Sequence, residues 1–342
     1  MRALVHGGGP VNNLVVLVCL ESPHAFWHLS GEHVKTLRTA FPSVHFRIAT
    51  DDTITEYLPD AQVYFGWRFQ PEWFRLASSL AWIASPAAGT DHLPIAGAQV
   101  AGVTVTRSYG FHGRPMAEHA MGLVLGFSRG LFTSSRLQRT QQWWKDDLAE
   151  EFFDLAGATM AIVGCGSIGT RLSHVARTFG MQVIGVRHKP PVTDPDGTTW
   201  MCTDDILQAV GHADVVVDLL PATDSTRRFF DREVFADFKP GSLFVNLGRA
   251  STVDQTALLE ALDAGRLRGA ALDVTDPRPL PMSHPLRWHP RVVLSPKSAT
   301  FSRTYMDDAV AFFADNLGRY LAEEPLNGMV TAPTAPTSAT GG

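Results

Sequence analysis

Short apolar runs alternate with amphipathic stretches along most of the chain. Apolar runs bounded by turn residues are typical of buried strands, whereas apolar positions that recur every three to four residues favour helices. In the first third of the chain the runs predict strands at 14–20, 44–48, 62–65, 82–85 and 103–106. The stretches 31–40 and 71–79 between them are predicted helices. This part of the chain therefore predicts a small α/β layer structure.

A second alternating series follows a long helical pattern at 114–144, in which Pro115 occupies a position that a first helical turn tolerates. Strands are predicted at 159–163, 182–186, 215–219, 242–247, 269–274 and 292–295, with a helix at 170–179 after the first of them. A closing helix is predicted at 309–322, and the Thr/Pro/Ala/Gly tail 331–342 is predicted to be disordered. Such strand–helix alternation indicates an α/β fold with a mainly parallel sheet covered on both faces.

Composition narrows the function classes. A chain of 342 residues with 45% apolar residues is long enough for two domains. The net charge of −5 comes without a basic run, so we expect no nucleic-acid partner. The apolar run 14–20 falls far short of the roughly 20 residues that span a bilayer, so we expect no membrane association. Three scattered cysteines indicate neither a disulfide framework nor a zinc site, and they favour a cytoplasmic protein.

A glycine-rich turn joins the predicted strand 159–163 to the helix after it. The segment reads Gly164-Cys165-Gly166-Ser167-Ile168-Gly169, a G-x-G-x-x-G pattern. In a dinucleotide site the first glycine permits a tight turn, the second lets the backbone approach the pyrophosphate, and the third allows close helix–strand packing. The alternative is an ordinary glycine-rich turn, which the strand–turn–helix context disfavours.

The end of the next strand bears on which dinucleotide binds. An NAD site usually places Asp or Glu there to hold the ribose hydroxyls. This chain has Arg187, His188 and Lys189 instead. These side chains suit a 2′-phosphate, so we predict NADP(H) in preference to NAD(H), although Arg187 could also stack on adenine and all three could be solvated surface groups.

Motifs across nearly the whole chain resemble those of the D-isomer-specific 2-hydroxyacid dehydrogenases, in particular glyoxylate/hydroxypyruvate reductases. Beside the glycine turn, the matching segments are Ala88-Gly89-Thr90-Asp91-His92, Pro115-Met116-Ala117-Glu118-His119, Leu220-Pro221-Ala222-Thr223, Val245-Asn246-Leu247-Gly248-Arg249-Ala250 and Leu272-Asp273-Val274. The resemblance implies two Rossmann-like domains, a flavodoxin-like substrate domain and a doubly wound dinucleotide-binding domain, with the active site in the cleft. It implies domain bounds of 1–111 plus 299–330 and of 112–298, and a homodimer.

The resemblance also implies roles for individual residues. Arg249 matches the arginine that binds the substrate carboxylate and polarises the carbonyl, and a guanidinium suits bidentate carboxylate binding. Asp273 matches the aspartate near the nicotinamide amide. Backbone groups of Ala88 and Gly89 would hold the substrate carboxylate. The remaining cofactor-side matches are Leu220, Pro221, Thr226, Leu247 and Gly248.

Two catalytic positions depart from the family pattern. The glutamate before Pro-Leu-Pro is Arg278 here, and the acid/base histidine after proline is Lys297. A lysine is ordinarily protonated at neutral pH and can give a proton to a developing alkoxide, and repulsion from a neighbouring Arg278 would help it to lose that proton. Two added cations would suit a 2-oxo acid with a second anionic group, such as a dicarboxylate or a phosphonate.

Further candidates lie outside these motifs. Arg68 follows a predicted strand and could contact an anionic substrate, and His112 lies in the segment that crosses between the predicted domains. His284 and His289 precede Lys297 and are candidate substitute acids, although proline-rich surroundings favour a surface role.

The sequence therefore predicts an NADP-preferring reductase that converts a 2-oxo acid to a D-2-hydroxy acid. Two alternatives remain open. One is altered chemistry within the family, for instance on an imine or another anionic carbonyl. The other is a non-catalytic dinucleotide-sensing or partner-binding protein that kept the fold.

Overall fold

Two α/β units make up the part of the chain that the structure describes. The computed structural model describes residues 14–191 and 197–331. One unit takes the described residues up to Tyr109 together with those from Ser302 onward, and the other runs from Gly110 to Phe301. The predicted tail 331–342 lies, apart from its first residue, outside the described residues. Among the described residues, no helix is long and apolar enough to cross a bilayer.

The first unit is built on a five-stranded parallel sheet in the order β2-β1-β3-β4-β5. Its strands are β1 (Val15–Cys19), β2 (His45–Ile48), β3 (Val63–Gly66), β4 (Trp82–Ser85) and β5 (Thr104–Arg107). Its first three helices are α1 (Gly31–Ala40), α2 (Ile54–Tyr57) and α3 (Ile95–Val100). The run 14–20, which was predicted to be a buried strand rather than a membrane segment, therefore forms β1, between β2 and β3 in the sheet.

The second unit is built on a seven-stranded parallel sheet in the order β12-β11-β10-β9-β6-β7-β8. Its strands are β6 (Thr159–Val163), β7 (Gln182–Val186), β8 (Thr199–Met201), β9 (Val215–Asp218), β10 (Ser242–Asn246), β11 (Leu267–Leu272) and β12 (Val292–Leu294). Its helices are α4 (Gly113–Ser128), α5 (Leu131–Leu137), α6 (Lys145–Ala149), α7 (Ser167–Thr178), α8 (Ile206–His212), α9 (Arg232–Asp237), α10 (Gln255–Asp263) and α11 (Pro285–Trp288). The strand order reverses between β6 and β9, which makes this a doubly wound sheet.

A last helix, α12 (Tyr305–Leu321), belongs to the first unit. Its Phe313 is buried and stacks on Phe65 of β3 with ring centroids 4.1 Å apart. The α/β fold class with two parallel-sheet units, predicted from the alternation of apolar runs, is confirmed.

Two local predictions were wrong, and one strand was missed. The long helix predicted at 114–144 is broken into α4, α5 and α6, and the break between α4 and α5 lies at Gly130, which takes a left-handed backbone conformation with φ of +63°. The stretch 71–79 forms only the short 3-10 turn Pro71–Arg75. Strand β8 was missed, because three residues carry too little periodicity to be recognised.

Candidate functional site

The carboxyl ends of six neighbouring strands in the second unit finish at one level. In the sheet register, the last residues of the strands pair with one another in the order Val186, Val163, Asp218, Asn246, Leu272 and Leu294. Most of the cofactor and catalytic residues predicted from the sequence follow these strand ends. Open α/β sheets bind ligands outside the carboxyl ends of their strands, at the point where the strand order reverses.

The glycine turn lies at this reversal point. Gly164 has φ of +86°, and a Cβ atom there would lie 2.8 Å from the carbonyl carbon of Leu219, which follows β9. The N–H groups of Gly164 and Cys165 both donate to the carbonyl oxygen of Val186, at 2.9 and 3.0 Å. Only glycine fits this conformation and this contact without strain.

The other two glycines differ in what surrounds them. A Cβ at Gly169 would lie 3.0 Å from both Cys165 Sγ and Ile162 Cγ2, so the helix packs closely on the strand. A Cβ at Gly166 would have no heavy atom nearer than 4.0 Å, and its φ of −92° is open to any residue. Internal packing therefore does not require Gly166 to be glycine, and the open space above it fits the approach of a pyrophosphate.

Helix α7 begins directly after this space, with Ser167 and Ile168 in its first turn. The first N–H groups of a helix have no carbonyl partner within the helix and, together with the helix dipole, favour an anion. The donor set and the open space fit the phosphates of a dinucleotide.

The three residues that follow β7 are all exposed. The N–H of Arg187 donates to the carbonyl oxygen of Met201 at 3.2 Å, which continues the pairing of β7 with β8, and the His188 carbonyl accepts the Cys202 thiol at 3.5 Å. The backbone is thus held while the side chains of Arg187, His188 and Lys189 face solvent. Among the described residues that follow β7, up to residue 191, this strand end presents basic groups and no carboxylate.

The loops after β9 and β10 are in close contact. A Cβ at Gly248 would lie 2.7 Å from the carbonyl oxygen of Leu220, so glycine is required there. The N–H of Leu247 donates to the Asp218 carbonyl at 3.0 Å. The exposed Pro221 is tied to its own loop, because the Thr226 hydroxyl donates to its carbonyl at 2.6 Å.

Arg249 follows this contact and is half-buried, and its main chain is firmly held. Its carbonyl oxygen accepts the side-chain amide of Asn246 at 3.1 Å and the N–H of Thr252 at 3.3 Å, and the Thr252 hydroxyl lies 2.6 Å away. One guanidinium nitrogen donates to the Gly248 carbonyl at 3.0 Å.

A buried carboxyl that the sequence analysis missed lies beneath Arg249. Asp218, fully buried at the end of β9, accepts the Leu220 N–H at 2.8 Å, and its other oxygen lies 2.5 Å from the Thr252 hydroxyl. Burial raises the pKa of the Asp218 carboxyl to about 7, although the Thr252 hydroxyl, the Leu220 N–H and the charge of Arg249 all act to lower it. One signal in the sequence could have indicated this residue, because it is the acidic residue in a predicted strand whose other residues are apolar.

The loop that carries Lys297 is fixed to Asp273, which is buried. The N–H of Lys297 donates to the Asp273 carbonyl at 2.9 Å. The Asp273 carboxylate accepts the Ser295 hydroxyl at 2.5 Å and the N–H groups of Ser298 and Ala299 at 2.9 and 3.1 Å. Lys297 itself is exposed and has φ of +56°, a conformation that costs a non-glycine residue on the order of 1 kcal/mol and that this network holds in place.

His119 of α4 joins the same network and was missed as a site residue. Its Nε2 lies 3.0 Å from Ser295 Oγ and 3.6 Å from Asp273 Oδ1. Because the Ser295 hydroxyl already donates to Asp273, His119 Nε2 must carry the proton to bond with Ser295. The histidine thus helps to fix the segment from Ser295 to Lys297.

Arg278 is exposed between two prolines. Its predicted position beside Lys297 stays a prediction. The ring of His284 accepts the Leu286 N–H at 3.3 Å, and His289 lies 3.4 Å from Asp263 and accepts the Arg291 N–H at 3.2 Å. Both histidines therefore serve local structure around α11 and β12.

The remaining predicted substrate residues lie as follows. In the first unit, Ala88 and Gly89 follow β4, and the Ala88 carbonyl accepts a guanidinium N–H of Arg107 at 2.9 Å. Arg68, also in the first unit, is ion-paired with Asp51. In the second unit, His112 is buried immediately before α4, with its ring stacked on Phe111 at 4.1 Å.

The chain is similar to several known proteins. Residues 121–299, which include the glycine turn, Arg249 and Lys297, match the family model described as the D-isomer specific 2-hydroxyacid dehydrogenase NAD-binding domain. The chain is 33% identical over 236 residues to glyoxylate/hydroxypyruvate reductase B of Citrobacter koseri, covering 67% of this chain and 71% of that protein. It is 30% identical over 242 residues to glyoxylate reductase of Aeropyrum pernix, covering 69% and 71%. A crystal structure of a D-isomer specific 2-hydroxyacid dehydrogenase family protein from Aeromonas salmonicida is 26% identical, with a TM-score of 0.78 and coverage of 93% and 99%.

Proposed function

The chain belongs to the D-isomer-specific 2-hydroxyacid dehydrogenase family, and on that premise we propose that it is an NADPH-preferring reductase that converts a small 2-oxo acid to a D-2-hydroxy acid. One observation carries the proposal. The residues that follow the adjacent strands β10, β11 and β12 include Arg249, Asp273 and Lys297, at the same edge of the sheet as the glycine turn. A carboxylate binder and a proton donor therefore follow strand ends that lie level with the dinucleotide turn.

The chain's own residues divide the chemistry between them. The guanidinium of Arg249 binds the substrate carboxylate and polarises the carbonyl group. When bound, the dinucleotide supplies the hydride to the carbonyl carbon. The ammonium group of Lys297 gives its proton to the carbonyl oxygen as that oxygen gains negative charge, which is the acid half of general acid–base catalysis. Asp273 holds the main chain of Lys297 in place for this step.

The preference for NADPH is supported by the end of β7. Arg187, His188 and Lys189 are exposed there, and none of them can accept hydrogen bonds from the ribose hydroxyls as a carboxylate would. A 2′-phosphate would pair with these groups, and Arg187 offers the planar donor set that phosphate favours.

The substrate's side chain is proposed to carry a second anionic group, such as a carboxylate or a phosphonate. The presence of Lys297 and Arg278 where the family has a histidine and a glutamate supports this, because both would add positive charge to the proposed site around Arg249. Both side chains are exposed and able to meet a ligand.

A cytoplasmic homodimer is the proposed assembly. Large exposed apolar side chains in and beside α5 and α6 support it, with Trp143 75%, Leu131 57% and Phe152 51% exposed. Light scattering at micromolar concentration is expected to give twice the mass of one chain, and a mass equal to one chain would contradict the homodimer.

The test is loss of NADPH absorbance over a panel of 2-oxo acids, with NADH in parallel. The panel runs from glyoxylate, hydroxypyruvate and phenylpyruvate to oxaloacetate and phosphonopyruvate. We expect turnover with NADPH, and faster turnover for members with a second anionic group. Better turnover of members with uncharged side chains would refute the second anionic group. The double variant Lys297→His with Arg278→Glu is expected to shift the preference toward ordinary 2-oxo acids.

The Lys297→Ala variant distinguishes a reductase from a protein that only senses the dinucleotide. The second possibility stays open because both catalytic positions of the family carry other residues in this chain. We expect this variant to bind NADPH like the parent and to lose turnover, whereas Lys297→Arg, which keeps the charge, retains substrate binding. No turnover across the panel despite tight NADPH binding would favour the sensor, or altered chemistry on an imine or another anionic carbonyl.

A further inference from the structure

Three oxygen atoms form a short row beneath the arginine proposed to bind substrate. Asp218 Oδ2 lies 2.5 Å from Thr252 Oγ1, and Thr252 Oγ1 lies 2.6 Å from the carbonyl oxygen of Arg249. Asp218 and Thr252 are fully buried, so the contacts lie away from solvent. Oxygen–oxygen distances of this kind are those of O–H···O hydrogen bonds, and each needs a hydrogen between its two atoms.

If Asp218 is ionised, one hydrogen is missing for the two hydrogen bonds in this row. The Thr252 hydroxyl has one hydrogen, and the Arg249 carbonyl has none. Both contacts are satisfied only if the Asp218 carboxyl carries a hydrogen and donates it to Thr252, which then donates its own to Arg249. The second carboxyl oxygen of Asp218 still accepts the Leu220 N–H at 2.8 Å.

We propose that Asp218 is a positioning residue that acts as a neutral carboxylic acid, and that its proton holds Arg249 in the conformation that binds the substrate carboxylate. The proposal rests on the proposed function in one respect only, the assignment of Arg249 as the substrate-binding residue. The proton relay itself follows from the three oxygens.

Loss of the proton would act on Arg249 in two ways. The Thr252 hydrogen would turn to the carboxylate, and the Arg249 carbonyl would face an oxygen lone pair at 2.6 Å. The new negative charge would also attract the guanidinium of Arg249 and compete with the substrate for it. Burial raises the pKa of the Asp218 carboxyl to about 7. The charged group that acts on this carboxyl is Arg249, and its hydrogen-bond partners are the Thr252 hydroxyl and the Leu220 N–H.

The experiment measures KM for the best 2-oxo acid of the panel between pH 6.5 and pH 8.5. Apparent affinity scales with the fraction of enzyme in the binding-competent state, so a group that titrates near pH 7 raises KM roughly 20-fold across this range. Asp218→Asn keeps an acceptor for Leu220 and a donor for Thr252, and thus mimics the neutral acid permanently. We expect its KM to stay nearly constant with pH.

The matched control is Asp214→Asn, the same exchange at the other end of β9, where Asp214 bonds to Lys239 and to the Thr159 N–H. This variant is expected to keep the pH dependence of the parent. Thr252→Val removes the relay and should leave KM high at both pH values. A parent KM that does not change with pH, or an Asp218→Asn variant that follows the parent, would overturn the proposal.

A second measurement does not depend on turnover. Infrared difference spectra between the parent and Asp218→Asn are expected to show the carbonyl stretch of a protonated carboxylic acid at pH 6 and its loss at pH 8.5. A carboxylate signal already at pH 6 would overturn the proposal even if the enzyme is active. Failure of the whole 2-oxo acid panel, with the protonated signal present, would instead refute the proposed function and the role of Arg249 while leaving the neutral acid established.

Discussion

One buried group is expected to contribute less to the stability of the second unit as pH rises from about 4 to about 7. Asp218 is fully buried, and its pKa rises from the ordinary 3.8 to about 7 in the folded chain. The folded state therefore binds a proton over this interval that the unfolded state has already released. A raised folded pKa gives stability that is complete below the unfolded pKa and is lost as pH rises through the folded one.

The size of the effect follows from the shift. A difference of about three pKa units at 1.36 kcal/mol per unit corresponds to about 4 kcal/mol, an upper value because neighbours relax when the charge forms. Asp218→Asn has no proton to lose. The free energy of unfolding of this variant minus that of the parent should therefore increase by up to about 4 kcal/mol between pH 4 and pH 8.

Urea unfolding, followed by tryptophan fluorescence and circular dichroism, measures this difference at half-unit steps of pH. Taking the difference removes the titration of all groups that the two proteins share. A difference that stays flat between pH 4 and pH 8 would refute the reasoning, because it would mean that Asp218 ionises in the folded chain as it does in the unfolded one. A difference that falls with pH would show a folded pKa below 3.8, which only a strongly paired carboxylate could have.

Three further predictions concern the dinucleotide edge of the same unit. Gly164→Ala is expected to destabilise the fold by about 2 kcal/mol or more in urea unfolding, because the φ of this residue is +86° and its Cβ would lie 2.8 Å from a main-chain carbon. The matched variant Gly166→Ala should unfold like the parent and lose NADPH affinity in a fluorescence titration. Arg187→Ala should lower kcat/KM for NADPH about 10-fold to 100-fold and leave that for NADH nearly unchanged, as expected for one charge-assisted pair of about 1.5–3 kcal/mol; equal losses would contradict a role at the 2′-phosphate. Asp273→Asn should reduce the free energy of unfolding by about 2–4 kcal/mol, because the N–H groups of Ser298 and Ala299 bond to different carboxylate oxygens and the amide nitrogen must face one of them; unchanged stability would contradict the role given to this carboxylate.

Most of the fold was predictable because parallel sheets bury both faces of each strand. Their sequences are then unbroken apolar runs, and the predicted bounds at 82–85, 159–163 and 182–186 are those of β4, β6 and β7. The helical region 114–144 was not predictable in the same way. Its apolar periodicity continues past Gly130, and only the left-handed conformation of that residue ends α4 and starts α5.

The candidate site likewise contains some residues that were located from the sequence and others that were missed. The glycine turn lies in a short motif whose spacing has a local mechanical reason, and Arg249 was located by the resemblance of its segment to a family motif. Asp218, Thr252 and His119 act through contacts between segments far apart in the chain, such as the 3.0 Å contact of His119 with Ser295. Periodicity carries no information on such contacts, and an acidic residue at a strand end can equally be a surface group.

The positioning of the two catalytic candidates explains how the chemistry of this site could change without loss of the fold. Arg249 is held through its carbonyl oxygen and Lys297 through its N–H, so in both cases the surroundings hold the main chain and leave the side chain to the ligand. The groups beneath them are buried carboxyls, Asp218 for the first and Asp273 for the second. Lys297 shows this most clearly, because its left-handed backbone is held by main-chain hydrogen bonds from its N–H to the carbonyl oxygens of Asp273 and Ser295, which do not involve the side chain. Under the proposed function, a lysine in place of the family's histidine would change the proton donor and keep the main-chain contacts of the loop, so we expect the functional difference in pH dependence and substrate charge rather than in the architecture.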